Sequence, residues 1–310
     1  MTTRSQGCSW GARVMMEFLN FYLVPRVVLG CIYALGAIGI SLTFGILRFS
    51  NFAHGDTMTL GVYITLSLIH LTGLHPLIVM PLAMVLTTVV MLGLDKAFFK
   101  PFRRSPTIIL VIASFGLMLM IRSVVQFFWG VQLQALQTGI QRPWVWFDAF
   151  RILTKHVLII GATVALMVAV HRVLTRTKIG KAMRATSDNP ELAALTGIDT
   201  EMVIRATWAM GASLAVAAGV FLGLDTHVET MMGFKLLLPM FAAAILGGIG
   251  KPYGAVAGGL VIGIAEEISA YPWIGTEPLL APGYKAGVAF AIMVAMLIWR
   301  PQGLLRGRQF

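Results

Sequence analysis

The sequence predicts an all-α polytopic membrane protein of about eight to nine transmembrane helices. Three observations carry this. Of 310 residues, 57% are hydrophobic and 12% charged, with a mean hydropathy of +0.82; soluble domains carry about 25% charged residues. Several apolar runs reach the roughly 20 residues that a helix needs to cross the hydrocarbon core. None of them alternates in the segments of about 10 residues that mark a membrane β-barrel.

Taken in order, the runs place spans near 27–47, 57–74, 77–95, 106–128, 156–174, 203–224, 238–270 and 284–299. Residues before the first span are polar and irregular, and the apolar run from Phe18 is interrupted by Pro25 and Arg26, so they do not read as a cleaved signal peptide. Met15 and Met16 offer an alternative start, with the preceding residues a poorly ordered extension. The run 238–270 is too long for one crossing. Gly247, Gly248, Gly250, Pro252 and Gly254 interrupt it, which predicts two short helices joined by an irregular centre. Irregular backbone at membrane depth survives only where protein or a water-filled cavity satisfies it.

A second discontinuity falls at SNFAHGD, residues 50–56. Asn51, His54 and Asp56 sit where one apolar run yields to the next, and polar groups at such a join either cap a broken helix or line a pathway. The plainer reading makes Asn51 and Asp56 caps in a cytoplasmic turn, with His54 bonded to backbone. Glu266 and Glu267, near the end of the broken run, are expected at the membrane interface, because a lone carboxylate inside the membrane is costly.

The net charge of +11 does not point to nucleic acid here, because Lys and Arg accumulate in cytoplasmic loops of membrane proteins. Lys96, Lys100, Arg103 and Arg104 form one such loop, Arg176, Lys178, Lys181 and Arg184 a second, and Arg300, Arg306 and Arg308 a third. All three are expected to face the cytoplasm, the third only if 238–270 crosses twice or re-enters. The loop 129–155, with Trp144, Trp146 and Phe147, then faces outward and suits the interface.

The longest polar segment, 176–201, is written as a short capped helix. Asn189 is a good N-cap, Pro190 fits the first helical position, and Glu191 sets negative charge at the positive helix end. Leu192, Leu195 and Ile198 recur at spacing three and give it a narrow apolar face. Gly197 can take the left-handed conformation that ends a helix. Two spans carry ladders of small residues: Gly211, Ala215, Gly219 and Gly223 in one, and Gly250, Gly254 and Gly258, with Gly259 and Gly263 alongside, in the other. Such ladders let helices approach closely, within the bundle or between subunits.

Several chemistries are excluded by pattern. GGIGKPYG at 247–254 is not a phosphate-binding loop, because Ile245 and Pro252 stand where Gly and Ser or Thr are required, and Tyr253 breaks the dinucleotide pattern. HExxH and GxSxG are absent, so no catalytic residue is assigned. Cys8 and Cys31 give neither a metal spacing nor a disulfide framework, and no metal ligand is assigned.

Three stretches together resemble a known family: GILRFSNFAHGDTMTLGVYI (45–64), KIGKAMRATSDNPELAALTGIDTEMVI (178–204) and AAILGGIGKPYGAVAGGLVIGIAE (243–266) are similar to the LivH-type permeases of branched-chain amino-acid ABC transporters. The similarity runs from about residue 16 to the C-terminus; the longer N-terminal extension and the Lys251–Pro252 pair depart from the pattern. The resemblance implies a multi-pass permease of the bacterial inner membrane that is not itself an enzyme. Its partners would be a LivM-like second permease, two ATP-binding subunits and a periplasmic substrate-binding protein. ATP would be held on partner subunits and no cofactor on this chain. Residues 1–15 would form the extension, and 16–310 one transmembrane permease domain with its cytoplasmic coupling loop at 176–201. Carried over residue by residue, the ATPase-coupling set is Arg184, Asn189, Glu191, Leu195 and Gly197, to which the helix reading adds Leu192. Asn51, His54, Gly248 and Gly250 are the candidates for the translocation path. Permeases of this type also serve urea and short-chain amides. A stand-alone secondary transporter or channel would also suit the broken helices, and a scaffold subunit without transport is a further alternative.

Overall fold

A computed structural model describes residues 24–136, 144–146, 150–269, 284–300 and 302–305. The expectations for residues 1–15, for Phe147 and for the side chain of Glu267 lie outside the described residues. Among the described residues are eleven α-helices. In chain order they are α1 (Val24–Leu47), α2 (Ala53–Thr72), α3 (Pro76–Leu94), α4 (Thr107–Trp129), α5 (Thr154–Arg176) and α6 (Lys178–Asp188). Then follow α7 (Pro190–Leu195), α8 (Thr200–Asp225), α9 (Met232–Gly247), α10 (Pro252–Ser269) and α11 (Lys285–Trp299). A π-helical turn at Asp95–Phe99 and a 3₁₀ turn at Lys100–Phe102 extend α3. Strands β1 (Trp144–Trp146) and β2 (Phe150–Ile152) pair antiparallel between α4 and α5.

Burial separates a core from a shell. In the most apolar stretch of each span, 83% of residues are buried for α1 and 78% for α8, against 33% for α4 and 17% for α5. The first two are therefore enclosed by protein, and the others present apolar faces of the kind that lipid covers. Close packing of the core rests on small residues. Gly259 meets the backbone of Ala34 and Gly263 that of Gly30, which lays α10 antiparallel along α1. Gly254 meets Gly247 and Gly258 meets Ala243, which closes α9 on α10 as a tight helical hairpin. In α8, Gly211 faces Gly39 and Thr43, and Gly219 faces Met58 and Val62. Both small-residue ladders are thus spent on packing inside the chain, and they gain it by backbone approach.

Two helices begin inside the bundle. Ser114, in the second turn of α4, accepts a hydrogen bond from Phe52 N at 3.2 Å, and the His54 ring lies against Gly39, in the middle of α1. The link from α1 to α2 therefore turns back into the protein before α2 starts. The start of α9 meets it from the other direction: Gly233 packs on the backbone of Gly55, and its N–H donates to Thr59 Oγ1 at 3.1 Å. The helix starts consequently differ from the sequence reading. α2 begins at Ala53 rather than 57, because buried contacts hold His54 and Asp56 in the helix, and α9 begins at Met232 rather than 238, where Gly233 packs on the backbone of Gly55.

The expected break in 238–270 falls at Gly248–Lys251. It sits beside Gly45, in the last turn of α1, and so lies at an end of the bundle. Residues 302–305 close over it: Leu304 N and Leu305 N donate to Leu246 O and Gly247 O at 2.8 and 3.3 Å. These carbonyls are among those a helix end leaves without an internal partner. The expectation for Glu266 fails. It is 2% exposed and accepts a hydrogen bond from Tyr33 at 2.6 Å, so protein rather than the interface satisfies its carboxyl group.

Candidate coupling and translocation sites

The segment between α5 and α8 is ordered by its own caps. Thr177 Oγ1 accepts from Gly180 N at 3.0 Å and starts α6, a helix that the sequence reading had merged with the basic lead-in. Gly180, Met183 and Thr186 turn inward, while Lys181 and Arg184 are exposed. Ser187 Oγ donates to Gly45 O at 3.0 Å and fixes α6 to the end of α1. Asn189 Oδ1 accepts from Glu191 N and Leu192 N at 3.0 and 3.1 Å, which satisfies two free N–H groups of α7. Pro190 stands at its first position. Gly197 ends the turn at φ +84°, where a side chain would be strained although nothing lies near to obstruct it. Ala193 is buried, whereas Leu192 is 58% and Leu195 83% exposed. Glu191 is exposed beside them. The result is a capped two-leucine ridge at the end of the bundle, with Arg184 one helix earlier.

The junction of α2 and α9 has the opposite character. Asn51 Oδ1 accepts from Ala53 N at 3.1 Å, so it does cap the chain entering α2, but at 2% exposure it is inside the protein rather than in a surface turn. His54 and Asp56 are also buried, in the first turn of α2. Arg122 of α4 reaches Asp56 Oδ2 at 2.9 Å and lies over the Phe234 ring of α9, 4.6 Å from its centroid. One ion pair thereby ties α2 to α4 and, through the ring, to α9. Asn51 Nδ2, His54 Nε2, Asp56 Oδ1 and Arg122 Nε find no hydrogen-bond partner in the described chain. Buried polar atoms are costly to leave unmatched, and here they lie on two sides of α2: His54 against Gly39 of α1, Asp56 against Arg122 of α4.

Gly248 and Gly250 take φ values of +102° and +81°. Gly250 N donates to Ser41 Oγ at 3.1 Å. A cavity of about 390 Å³ opens here between α1, α6 and the α9–α10 turn, with Arg184, Ser187, Gly250 and Lys251 on its wall. The structure thus brings Arg184 and Gly250 together, although the sequence reading gave them separate roles. Asn51 and His54 are elsewhere. His54 meets α1 at Gly39 and Gly250 meets it at Gly45, a separation of about 9 Å along the helix axis. Asp56 as an ion-pair member, and Arg122, Thr59 and Gly233, were absent from the sequence-derived set. Arg122 carried a usable signal, since it is a lone charge within the apolar run 106–128.

Residues 23–297 match the family model described as branched-chain amino acid transport system / permease component. The chain belongs to this family. Similar proteins include the high-affinity branched-chain amino acid transport system permease protein LivH of Escherichia coli strain K12, 32% identical with 93% of this chain and 96% of that protein covered. The corresponding permease BraD of Pseudomonas aeruginosa is 30% identical, with 91% and 94% covered. A probable LivH of Methanocaldococcus jannaschii is 29% identical, with 91% of each covered. Among solved structures, PsaBC from Streptococcus pneumoniae in complex with Fab matches with a TM-score of 0.52 at 12% identity, over 92% of this chain and 95% of that one. That likeness supports the all-α membrane fold. Members of the family are transport permeases, and this chain is a multi-pass protein of the inner membrane.

Proposed function

We propose that this chain is the membrane-spanning permease subunit of an ABC importer for branched-chain amino acids, working beside a second permease and driven by cytoplasmic ATP-binding subunits. The observation that carries the coupling assignment is the α7 ridge. Leu192 and Leu195 are exposed on a helix whose two ends are fixed by Asn189 and Gly197. A groove on an ATP-binding subunit would receive them as helix-in-groove anchors. Closure of the ATPase pair would then move α7, and the bundle would exchange inward- and outward-facing states. The buried polar groups at the start of α2, Asn51, His54 and Asp56, support a place for the moving element, because α9 also starts there and these groups are incompletely matched. The substrate class is carried by the named relatives.

The test is uptake of labelled leucine by cells that lack the native chain and express Leu195→Asp with its partners. Uptake is expected to fall by at least about tenfold, the range of a lost coupling free energy, with the protein still inserted in the membrane. Full ATP-dependent uptake by Leu195→Asp would remove α7 from the coupling role.

A further inference from the structure

The coupling ridge and the α2 junction lie far apart in the chain, yet one set of side chains joins them through the corner between α3 and α4. Arg103 stands at its centre. Its Nη1 donates to Glu201 Oε1 at 2.6 Å, and its Nη2 pairs with Asp95 Oδ2. Glu201 is in the first turn of α8, and its N–H and that of Met202 are held by Asp199 Oδ1 at 2.9 and 3.2 Å. Asp199 follows directly on the turn that ends α7. Asp95 opens the π-helical turn Asp95–Phe99, and its side chain is 6% exposed. At the far end of that turn, Phe99 is stacked on Trp208 of α8, with centroids 5.0 Å apart, and meets Phe49 at 5.4 Å. Phe49 belongs to the link that delivers Asn51 to the start of α2. All three rings are buried.

We propose that Arg103 is a positioning residue that transmits displacement of α7 to the α1–α2 link, through Glu201 on one side and the Asp95–Phe99 turn with Phe49 on the other. This rests on the coupling reading of α7. Three features of the arrangement argue for it. Arg103 bridges two carboxylates on different elements, so a shift of the α8 start cannot leave the corner in place without breaking a charged contact. The corner is a π-helical turn, a backbone form that often marks functional positions within helices. The Phe49–Phe99–Trp208 contact is a buried aromatic cluster, with Phe99 stacked on Trp208 and tilted against Phe49, and a close-packed interior of this kind transmits strain. Lys100 also reaches Glu201, at 3.2 Å, but its side chain is 53% exposed and touches no second carboxylate, so it adds little positional constraint. Ion pairs that face solvent contribute little to stability. Partial exposure of Glu201 therefore makes the tie a guide to position more than a source of stability.

The experiment uses the whole transporter in proteoliposomes, with Cys8 and Cys31 replaced by alanine and Ser50→Cys as a reporter on the α1–α2 link. The rate of thiol labelling is measured with and without a non-hydrolysable ATP analogue, together with ATP hydrolysis and leucine uptake. In the unmodified background the analogue should change the labelling rate at least about fivefold, the lower end of allosteric couplings. In Arg103→Gln and in Glu201→Gln the ratio should approach one and uptake should fall, while ATP hydrolysis and assembly persist. Lys100→Gln should behave as the background. Unchanged labelling ratios and uptake in both Arg103→Gln and Glu201→Gln overturn the proposal. Loss of both variants from the membrane overturns it as well, because the tie would then be a folding contact. Leu195→Asp separates the two readings. If it uncouples while the Arg103 and Glu201 variants do not, this inference alone fails; if Leu195→Asp transports normally, the coupling reading beneath it fails.

Discussion

The coupling segment and the α2–α9 junction hold polar residues in place by opposite means. In the coupling segment each turn is fixed from within a few residues: Thr177 by Gly180, Asn189 by Glu191 and Leu192, Asp199 by Glu201 and Met202. Its ties to distant parts of the chain, Ser187 to Gly45 and Glu201 to Arg103 and Lys100, flank α7, and Leu195 projects at 83% exposure. In the junction almost nothing is local. Asp56 is held by Arg122, Phe52 by Ser114 and Gly233 by Thr59, each pair far apart in sequence. The difference is between an exposed ridge held by its own caps and an interior whose contacts join three helices.

The sharpest way to break this contrast is Arg122→Ala. Removing one partner of a buried ion pair should cost about 3–5 kcal/mol, since a charge is left unmatched. A thermal unfolding scan in detergent should show a marked fall in Tm, and a Tm unchanged from wild type would mean that the junction is not held by this pair. Replacing both charges with apolar residues of similar volume should be much milder. Next comes Gly233→Val. Its side chain would drive α9 off the backbone of Gly55 and off Thr59, an overpacking cost of about 1–3 kcal/mol. It should be read as faster proteolysis of detergent-solubilised protein. Asn189→Ala should cost about 1 kcal/mol, confined to α7. Hydrogen exchange should rise at Glu191 and Leu192 and stay unchanged in α2. Leu195→Asp should leave stability within about 0.5 kcal/mol, as for a surface position, and be felt in uptake alone. If its Tm fell as far as that of Arg122→Ala, the two regions would not differ in kind.

The same contrast decides what could be read from the sequence. Asn189, Pro190 and Gly197 act within a single turn, so residue type and spacing were enough to write the start and stop of α7. α6 escaped because its cap, Thr177, lies inside a basic stretch that hydropathy treats as one loop. At the junction, the polar residues of SNFAHGD announced a discontinuity, but no local signal could name Arg122 or Gly233 as partners. Those contacts join parts of the chain whose adjacency is set by the fold. Hydropathy also set the start of α2 too late, since it assigns a buried Asp56 to water when an arginine on another helix solvates it. Glu266 was placed at the interface for the same reason, with Tyr33 unseen. The small-residue ladders were legible as contacts, and only the structure shows that their neighbours are Gly30, Ala34, Gly39 and Met58 of the same chain.

Residues 302–305 add a consequence for the order of synthesis. The carbonyls of Leu246 and Gly247 at the end of α9 are bonded by Leu304 and Leu305, which leave the ribosome only after α10 and α11. While those helices are being inserted, the end of α9 lacks its final partners, and the hairpin with α10 must stand on its glycine contacts. Residues 302–305 thus act as a clasp that shuts only after α10 and α11 have been made. A reporter domain fused before Gly303 would prevent it from shutting, whereas one joined beyond Leu305 through a flexible spacer should leave the bundle able to complete itself.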